Sequence, residues 1–381
     1  PNNVSNTFNW TYDGTSPTMA ITASDGSAPL ASGSTTNDAT IALTFTSSES
    51  TTDLSGGDIT VTNGTISNFA GSGATYTATF TPAADGAVTI DVAANAFSDA
   101  VGNGNTVAPQ FTWTYDGTAP TMTIASTTVT SGTTTSDNTI ALTFTSSEST
   151  TDFVVGDISV TNGALSALTP VAGGLVYNAT FTPTADGQAT IDVAAGTFKD
   201  AVGNDNSAAT QFTWTRDSTP PTMTIASGNV ASGLPFNSNA IGLTFTSSET
   251  TTDFDATDIT TSNGAISNFA GSGQNYTATF TSSGAGTTSS ISVGVGEFSD
   301  AVGNTNAAAS NTFTWEYDNT APTMTISAVD SNSAVLGDSS TTNDATIVLT
   351  FTSSESTTDF VVGDITLVGG TLGALSNPSS D

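Results

Sequence analysis

The chain contains no cysteine and no histidine, and its only basic residues, Lys199 and Arg216, stand against 34 acidic ones, for a formal net charge of −32. Each shortage excludes something. Without Cys or His there can be no thiol nucleophile, imidazole base, zinc centre or Ser-His-Asp triad within the chain. With two basic residues no phosphate-neutralising face can be built, so nucleic acid is excluded as a partner. An anionic membrane surface is excluded for the same reason. No apolar stretch approaches a membrane span, so no direct membrane insertion is expected. Pro1 opens the chain without a signal-peptide pattern, and any targeting sequence is expected outside this segment. Cations are the natural counter-partners of so acidic a chain. Disorder does not fit, because charged residues make up only 9 % of the 381 and apolar ones alternate regularly with Thr and Ser.

What the chain has is repetition. Trp10, Trp113, Trp214 and Trp315 lie in the closely related stretches FNWTYDGTSPTM, FTWTYDGTAPTM, FTWTRDSTPPTM and FTWEYDNTAPTM, separated by 103, 101 and 101 residues. LTFTSSE recurs with its Glu at 49, 148, 249 and 355, and F-S/K-D-A-V-G-N places Asp at 99, 200 and 300. A period near one hundred residues is a whole small domain, far above a solenoid repeat. The expected organisation is the last strand of a preceding module (1–13), full modules at 14–116, 117–217 and 218–318, and a partial module at 319–381.

Period-2 alternation predicts seven strands per module. In the first they are 18–23, 39–47, 58–62, 65–69, 75–81, 87–93 and 110–115. Ile41, Leu43 and Phe45 share one face, as do Tyr76, Ala78 and Phe80, and then Phe111, Trp113 and Tyr115. Turns are marked by Asn63-Gly64, Pro82 to Gly86 and Gly102-Asn103. The pattern predicts an all-β chain of antiparallel β-sandwiches with one apolar and one hydroxyl-rich face per sheet. The four Trp share a face with Phe and Tyr and are expected in the core.

The TAPTMTI opening, SSE-x-T-T-D-F, GDITVTNG, YTATFTP, TIDVAA, F-x-DAVGN and the closing FTWTYD resemble bacterial Ig-like domain repeats, the stalk modules of giant surface adhesins, with similar arrays in algal and protist surface proteins. The resemblance covers essentially the whole chain. It implies tandem immunoglobulin-like modules, extracellular or cell-surface location, no enzymatic activity and a structural stalk or spacer role. Unlike antibody domains the chain has no Cys-Trp-Cys core, and its Trp lies on the last strand. Alternative roles are a subunit of an extracellular filament such as a flagellar hair, and a glycan-binding adhesive module. The expected partners are neighbouring modules of the same longer chain, other copies in a filament, or surface glycans.

Strand parity locates the carboxylates. The loops after strands two, four and six must share the pole at which the incoming linker arrives. In the first module this brings Asp13, Glu49, Asp53, Asp99 and Asn103 together. The set repeats as Asp116, Glu148, Asp152, Asp200 and Asn204, and as Asp217, Glu249, Asp253, Asp300 and Asn304. The partial module retains Asp318, Glu355 and Asp359. Two carboxylates 4 Å apart repel by about 4 kcal/mol at an effective dielectric of 20, so such a junction needs a cation from outside. Oxygen ligands without nitrogen or sulfur select calcium, and the resemblance implies calcium at the linkers too. Asp before Gly is also an ordinary turn pair. Asp38, Asp85 and Asp186 are expected to decorate turns at the opposite pole. Asn3, Asn9, Asn63, Asn178 and Asn275 head N-x-S/T sequons and are candidate glycosylation sites, the last two on a polar strand face.

Overall fold

A computed structural model describes residues 5–376, so the sequon at Asn3 lies outside the described residues. Residues 1–219 form one compact unit and residues 220–381 a second. The chain is all-β, and its modules are immunoglobulin-like sandwiches. Among the described residues no helix is long and apolar enough to cross a membrane.

The first sandwich is built from β1 (Met19–Ser24), β2 (Pro29–Leu30), β3 (Thr35–Thr36), β4 (Ile41–Thr51), β5 (Ile59–Val61), β6 (Gly64–Pro82), β7 (Gly86–Val92) and β8 (Phe111–Tyr115). One sheet has the order β2-β1-β4-β6 and the other β3-β8-β7-β5. Register follows the alternation: Ile41, Leu43 and Phe45 pair with Phe80, Ala78 and Tyr76, so one face of each strand turns into the core. β3 runs parallel to β8 and β1 antiparallel to β4, so the first stretch of chain contributes to both sheets. The two strands expected at 65–69 and 75–81 are the arms of the single run β6. They lie side by side, with Ser67 Oγ donating to the Thr79 carbonyl at 3.4 Å. The reversal between them uses Gly71 (φ 142°) and Gly73 (φ 67°), a backbone path open to glycine at little cost. β2 and β3 are two residues each, too short for alternation to reveal.

The second sandwich, in the same unit, repeats the plan with β9 (Met122–Ser126), β10 (Thr134–Thr135), β11 (Ile140–Ser146), β12 (Ile158–Val160), β13 (Gly163–Leu165), β14 (Thr169–Ala172), β15 (Val176–Pro183), β16 (Gly187–Val193) and β17 (Phe212–Arg216). Here the counterpart of β6 is split in three, with β13 and β14 both pairing with β15.

In the second unit, residues 223–317 form a third sandwich with its own buried core around Phe245, Phe280 and Trp315. After it comes a three-stranded sheet of Met324–Val329, Val335–Leu336 and Val348–Ser353. That sheet leaves Ile326 and Val348 more than 60 % exposed, and its residues join no buried core cluster among those described.

Trp113, Trp214 and Trp315 are buried as the alternation requires, each edge-on to a Phe of the facing sheet. Their indole N–H groups fare differently. Trp214 Nε1 donates to Thr135 Oγ1 at 3.1 Å. Trp113 and Trp315 leave Nε1 buried without an acceptor. At the position of Thr135 the first module has Thr36, whose hydroxyl turns to Asp38, and the third has Phe236. Trp10 is 73 % exposed. Replacing Trp113 by Ala is therefore expected to destabilise the first module by about 3–5 kcal/mol, whereas Trp10→Ala leaves stability within about 0.5 kcal/mol of the parent. Chemical denaturation of the two variants checks this.

Candidate metal centre

At the incoming pole the linker is tied to two neighbouring segments. The linker is stitched to the end of β4 by reciprocal bonds: Thr18 N donates to Ser48 Oγ and Ser48 N to the Thr18 carbonyl, both at 2.9 Å. It is stitched to the loop after β7 by Thr106 N, which donates to the Pro17 carbonyl at 3.0 Å. The second module repeats both through Thr121 with Ser147 and through Ser207 with Pro120. Buried Tyr76 donates its hydroxyl to the Thr51 carbonyl at 2.8 Å, and Tyr177 to that of Thr150 at 3.0 Å. These bonds pin the end of β4 just beyond Glu49, and the segment just beyond Glu148 in the second module.

The D-A-V-G-N loop is organised around its Asp. Asp99 Oδ1 accepts from the backbone N–H of Val101, Gly102 and Asn103 at 2.7–3.0 Å, and Oδ2 accepts from Asn103 Nδ2 at 2.8 Å. Asp200 repeats this with Val202, Gly203 and Asn204. In the second unit Asp300 accepts from Val302 N, Asn304 N and Asn304 Nδ2. Burial works against the charge of all three, but the side-chain amide and the successive N–H donors outweigh it and lower each pKa below the ordinary aspartate value. Buried Asn105, Asn206 and Asn306 cinch the same loop. Asn105 accepts from Phe97 N at 3.0 Å and donates to the Ala93 and Thr106 carbonyls. Sequence reasoning missed these three, although their recurrence in G-N-x-N was a visible signal.

On this frame one oxygen each of Asp13, Glu49 and Asp99 lies within 4.8 Å of the others, and the same holds for Asp116, Glu148 and Asp200. Crowding shows in the glutamates. Desolvation, then Asp13 and Asp99, raises the pKa of Glu49; desolvation, then Asp116, Asp200 and Asp85, raises that of Glu148. Neither basic residue offers relief. Lys199 pairs with Asp205, and Arg216 with Asp186 at 2.9 Å. Three carboxylates without nitrogen or sulfur could hold a hard divalent cation.

Other expected ligands are placed differently. Asp53 is outside the triad. Its carboxylate accepts from Ser98 N, Ser98 Oγ and Thr51 Oγ1, clamping the loop after β4 to the loop after β7. Asp152 and Asp253 accept from Lys199 N and Ser299 N in the same way. Asn103 and Asn204 present their amide nitrogens to the neighbouring linker carbonyls of Asp13 and Asp116, and so act as braces. In the second unit Asn304 likewise turns its amide nitrogen to Asp300. Asp217 closes the first unit, accepting from Thr219 N at 3.2 Å, while Glu249 takes its backbone bond from N–H to Ser247 Oγ in the second. Asp318 and Glu355 belong to no carboxylate triad among the described residues, where no D-A-V-G-N loop follows Glu355; neither does Asp359. Of the sequons, Asn178 and Asn275 are exposed on an outer sheet face and Asn9 is exposed before β1. Asn63 is half-buried, at φ 55°, with Nδ2 donating to the Ala84 carbonyl at 2.7 Å, a bond that a glycan on that nitrogen would disrupt.

The opposite pole holds a feature that sequence reasoning undervalued. Asp85 and Asp186 grip the departing linkers. Asp85 accepts from Gly117 N at 2.7 Å and from Thr118 Oγ1, and Asp186 accepts from Ser218 Oγ, Thr219 Oγ1 and Arg216. Their matching positions ahead of each linker carried the signal.

The Ser98 and Thr51 hydroxyls, with help from Ser98 N and against burial, lower Asp53 to about 2 from an ordinary 3.8. A depressed carboxylate contributes stability above the unfolded value and loses it as pH falls toward the folded one. Asp53→Asn is thus expected to lower the melting temperature of the first module by a few degrees at pH 7, exposure limiting the effect. The deficit should shrink between pH 4 and pH 2, as calorimetry across that range would show.

A family model described as bacterial Ig-like domain matches residues 13–115, 116–215 and 217–317. No curated protein matches the chain. Among solved structures, the Escherichia coli adhesin FdeC is 14 % identical, with 80 % of this chain and 98 % of that one covered at a TM-score of 0.35. Yersinia pseudotuberculosis InvD is 16 % identical over 81 % of this chain and 100 % of that one, also at 0.35. Invasin, described as a bacterial integrin-binding protein, is 14 % identical over 85 % and 64 %, at 0.33. At such scores these structural likenesses carry no argument, and the assignment rests on the three family matches, which span most of the sequence: the chain belongs to the bacterial Ig-like domain family.

Proposed function

We propose that the chain is a non-enzymatic spacer segment of an extracellular surface adhesin or fibre, stiffened by calcium bound where consecutive modules meet. The observation that carries this reading is the approach of Asp116, Glu148 and Asp200 within 4.8 Å of one another, on three sequence stretches that include the linker. A cation shared by these groups joins linker to module and removes their mutual repulsion. The carboxylates recur module by module, as a mechanical element would and as a single catalytic centre would not. Calcium at the 10⁻⁴–10⁻³ M affinity typical of extracellular modules would leave the junctions loaded outside a cell. The near absence of basic residues leaves the cation without an internal competitor.

Glu148→Gln combined with Asp200→Asn in the whole chain should abolish one calcium equivalent in isothermal titration. It should also give calcium-treated protein the small-angle scattering flexibility of the chelated parent. Unchanged stoichiometry in that variant would remove these residues from the site, and a parent whose scattering ignores calcium would remove the stiffening role. Because the neighbourhood raises the Glu148 pKa and lowers that of Asp200, protons compete first at Glu148, and affinity should fall on acidification before Asp200 protonates.

A further inference from the structure

The first junction contains a connection made of neutral amides. Asn204 sits in the D-A-V-G-N loop of the second module, with Nδ2 donating to Asp200 Oδ2 at 2.8 Å and to the Asp116 carbonyl of the linker at 3.0 Å. Both donor hydrogens of that nitrogen are thereby used, so only Oδ1 can face the upstream module, and it needs a donor. Asn37, in the turn after β3 of the first module, supplies one: its Nδ2 lies 3.1 Å from Asn204 Oδ1. One side chain therefore touches the upstream module, the linker and the downstream loop. Gly203 beside it holds φ 103°, a conformation that a side chain would strain, while a Cβ there would make only ordinary contact with Asn37 Nδ2 at 3.6 Å. The linker is held from the upstream side as well, by Thr36 O accepting from Asp116 N at 3.0 Å and by the grip of Asp85 on Gly117 and Thr118.

We propose that Asn37 is an orientation-setting latch that holds the second module at a fixed angle to the first when no cation is bound. This inference rests on the reading of the chain as a stiff spacer, but not on calcium. Two modules joined by a short linker and a small contact swivel by default. Three directional bonds through one amide remove the rotational freedom that a single linker bond would leave. Amides do not titrate in the physiological range, and their bonds are less sensitive to salt than charge pairs. The latch therefore sets the angle first, and a cation arriving at Asp116, Glu148 and Asp200 meets carboxylates already in register.

With no native cysteine, the chain accepts a single pair of spin labels at exposed Thr60→Cys and Ser159→Cys, one in each module. The inter-label distance distribution is then measured in chelator and in calcium. The parent should give a narrow distribution in chelator. Asn37→Ala should widen it by roughly twofold or more, and Asn37→Asp, which keeps the shape and loses the donor, should do the same. Unchanged circular dichroism and melting temperature establish that both variants are folded. A chelated parent as broad as Asn37→Ala, or an Asn37→Asp variant as narrow as the parent, would overturn the latch. The two proposals fail separately: narrowing of a broad parent by calcium keeps the metal and removes the latch, whereas a narrow parent that takes up no calcium in isothermal titration keeps the latch and removes the metal.

Discussion

Everything at the module pole depends on a buried carboxylate that accepts several donors from its own loop. Asp99 and Asp200 each gather three consecutive backbone N–H groups and a side-chain amide, so a glycine-containing loop of five residues takes up one shape. That cradle satisfies backbone donors which would otherwise be orphaned near a buried group, and it keeps the Asp ionised against the cost of burial. It also aims the remaining capacity of Oδ2 toward the linker and the glutamate. Without it, Asp99 and Asp200 would not be held beside the linker, and Glu49 and Glu148 would each lose one carboxylate neighbour.

Crowding like charges is a cost that the fold accepts locally and spreads across several supports. The serine beside each glutamate bonds the linker, the tyrosine hydroxyl anchors the loop end, and Asp53 or Asp152 staples one loop to the other. The crowding shows at Glu49 and Glu148, whose pKa desolvation and then the neighbouring carboxylates raise. The carboxylates therefore differ in environment: Asp53 and Asp152 face only N–H and O–H donors, Asp99 and Asp200 accept such donors and also lie in the triads, and Glu49 and Glu148 face the other carboxylates.

Much of this was legible in the sequence, and for a physical reason. Period-2 alternation reports which face of a strand is buried, so Ile41, Leu43, Phe45 and the core tryptophans could be assigned without coordinates. Strand parity then carried Glu148 and Asp200 to the pole of Asp116. What alternation cannot report is where a polar side chain points once it leaves a strand. Asp53 and Glu49 are four residues apart across the end of β4, yet one turns to Ser98 and the other to the triad. Likewise Asn204 has an oxygen and a nitrogen of nearly equal reach, and only its neighbours determine that the nitrogen faces the linker. β6 merged two expected strands because its reversal is written in glycine dihedrals rather than in hydrophobicity.

The three sandwiches look interchangeable in sequence, but their tryptophans are not equally provided for. The indole of Trp214 has found a hydroxyl, while those of Trp113 and Trp315 remain sealed in hydrocarbon with nothing to donate to. The second sandwich thus satisfies its buried indole, whereas the first and third each carry an unpaired donor that costs about 1–3 kcal/mol, so near-identical sequences close over cores of unequal internal satisfaction.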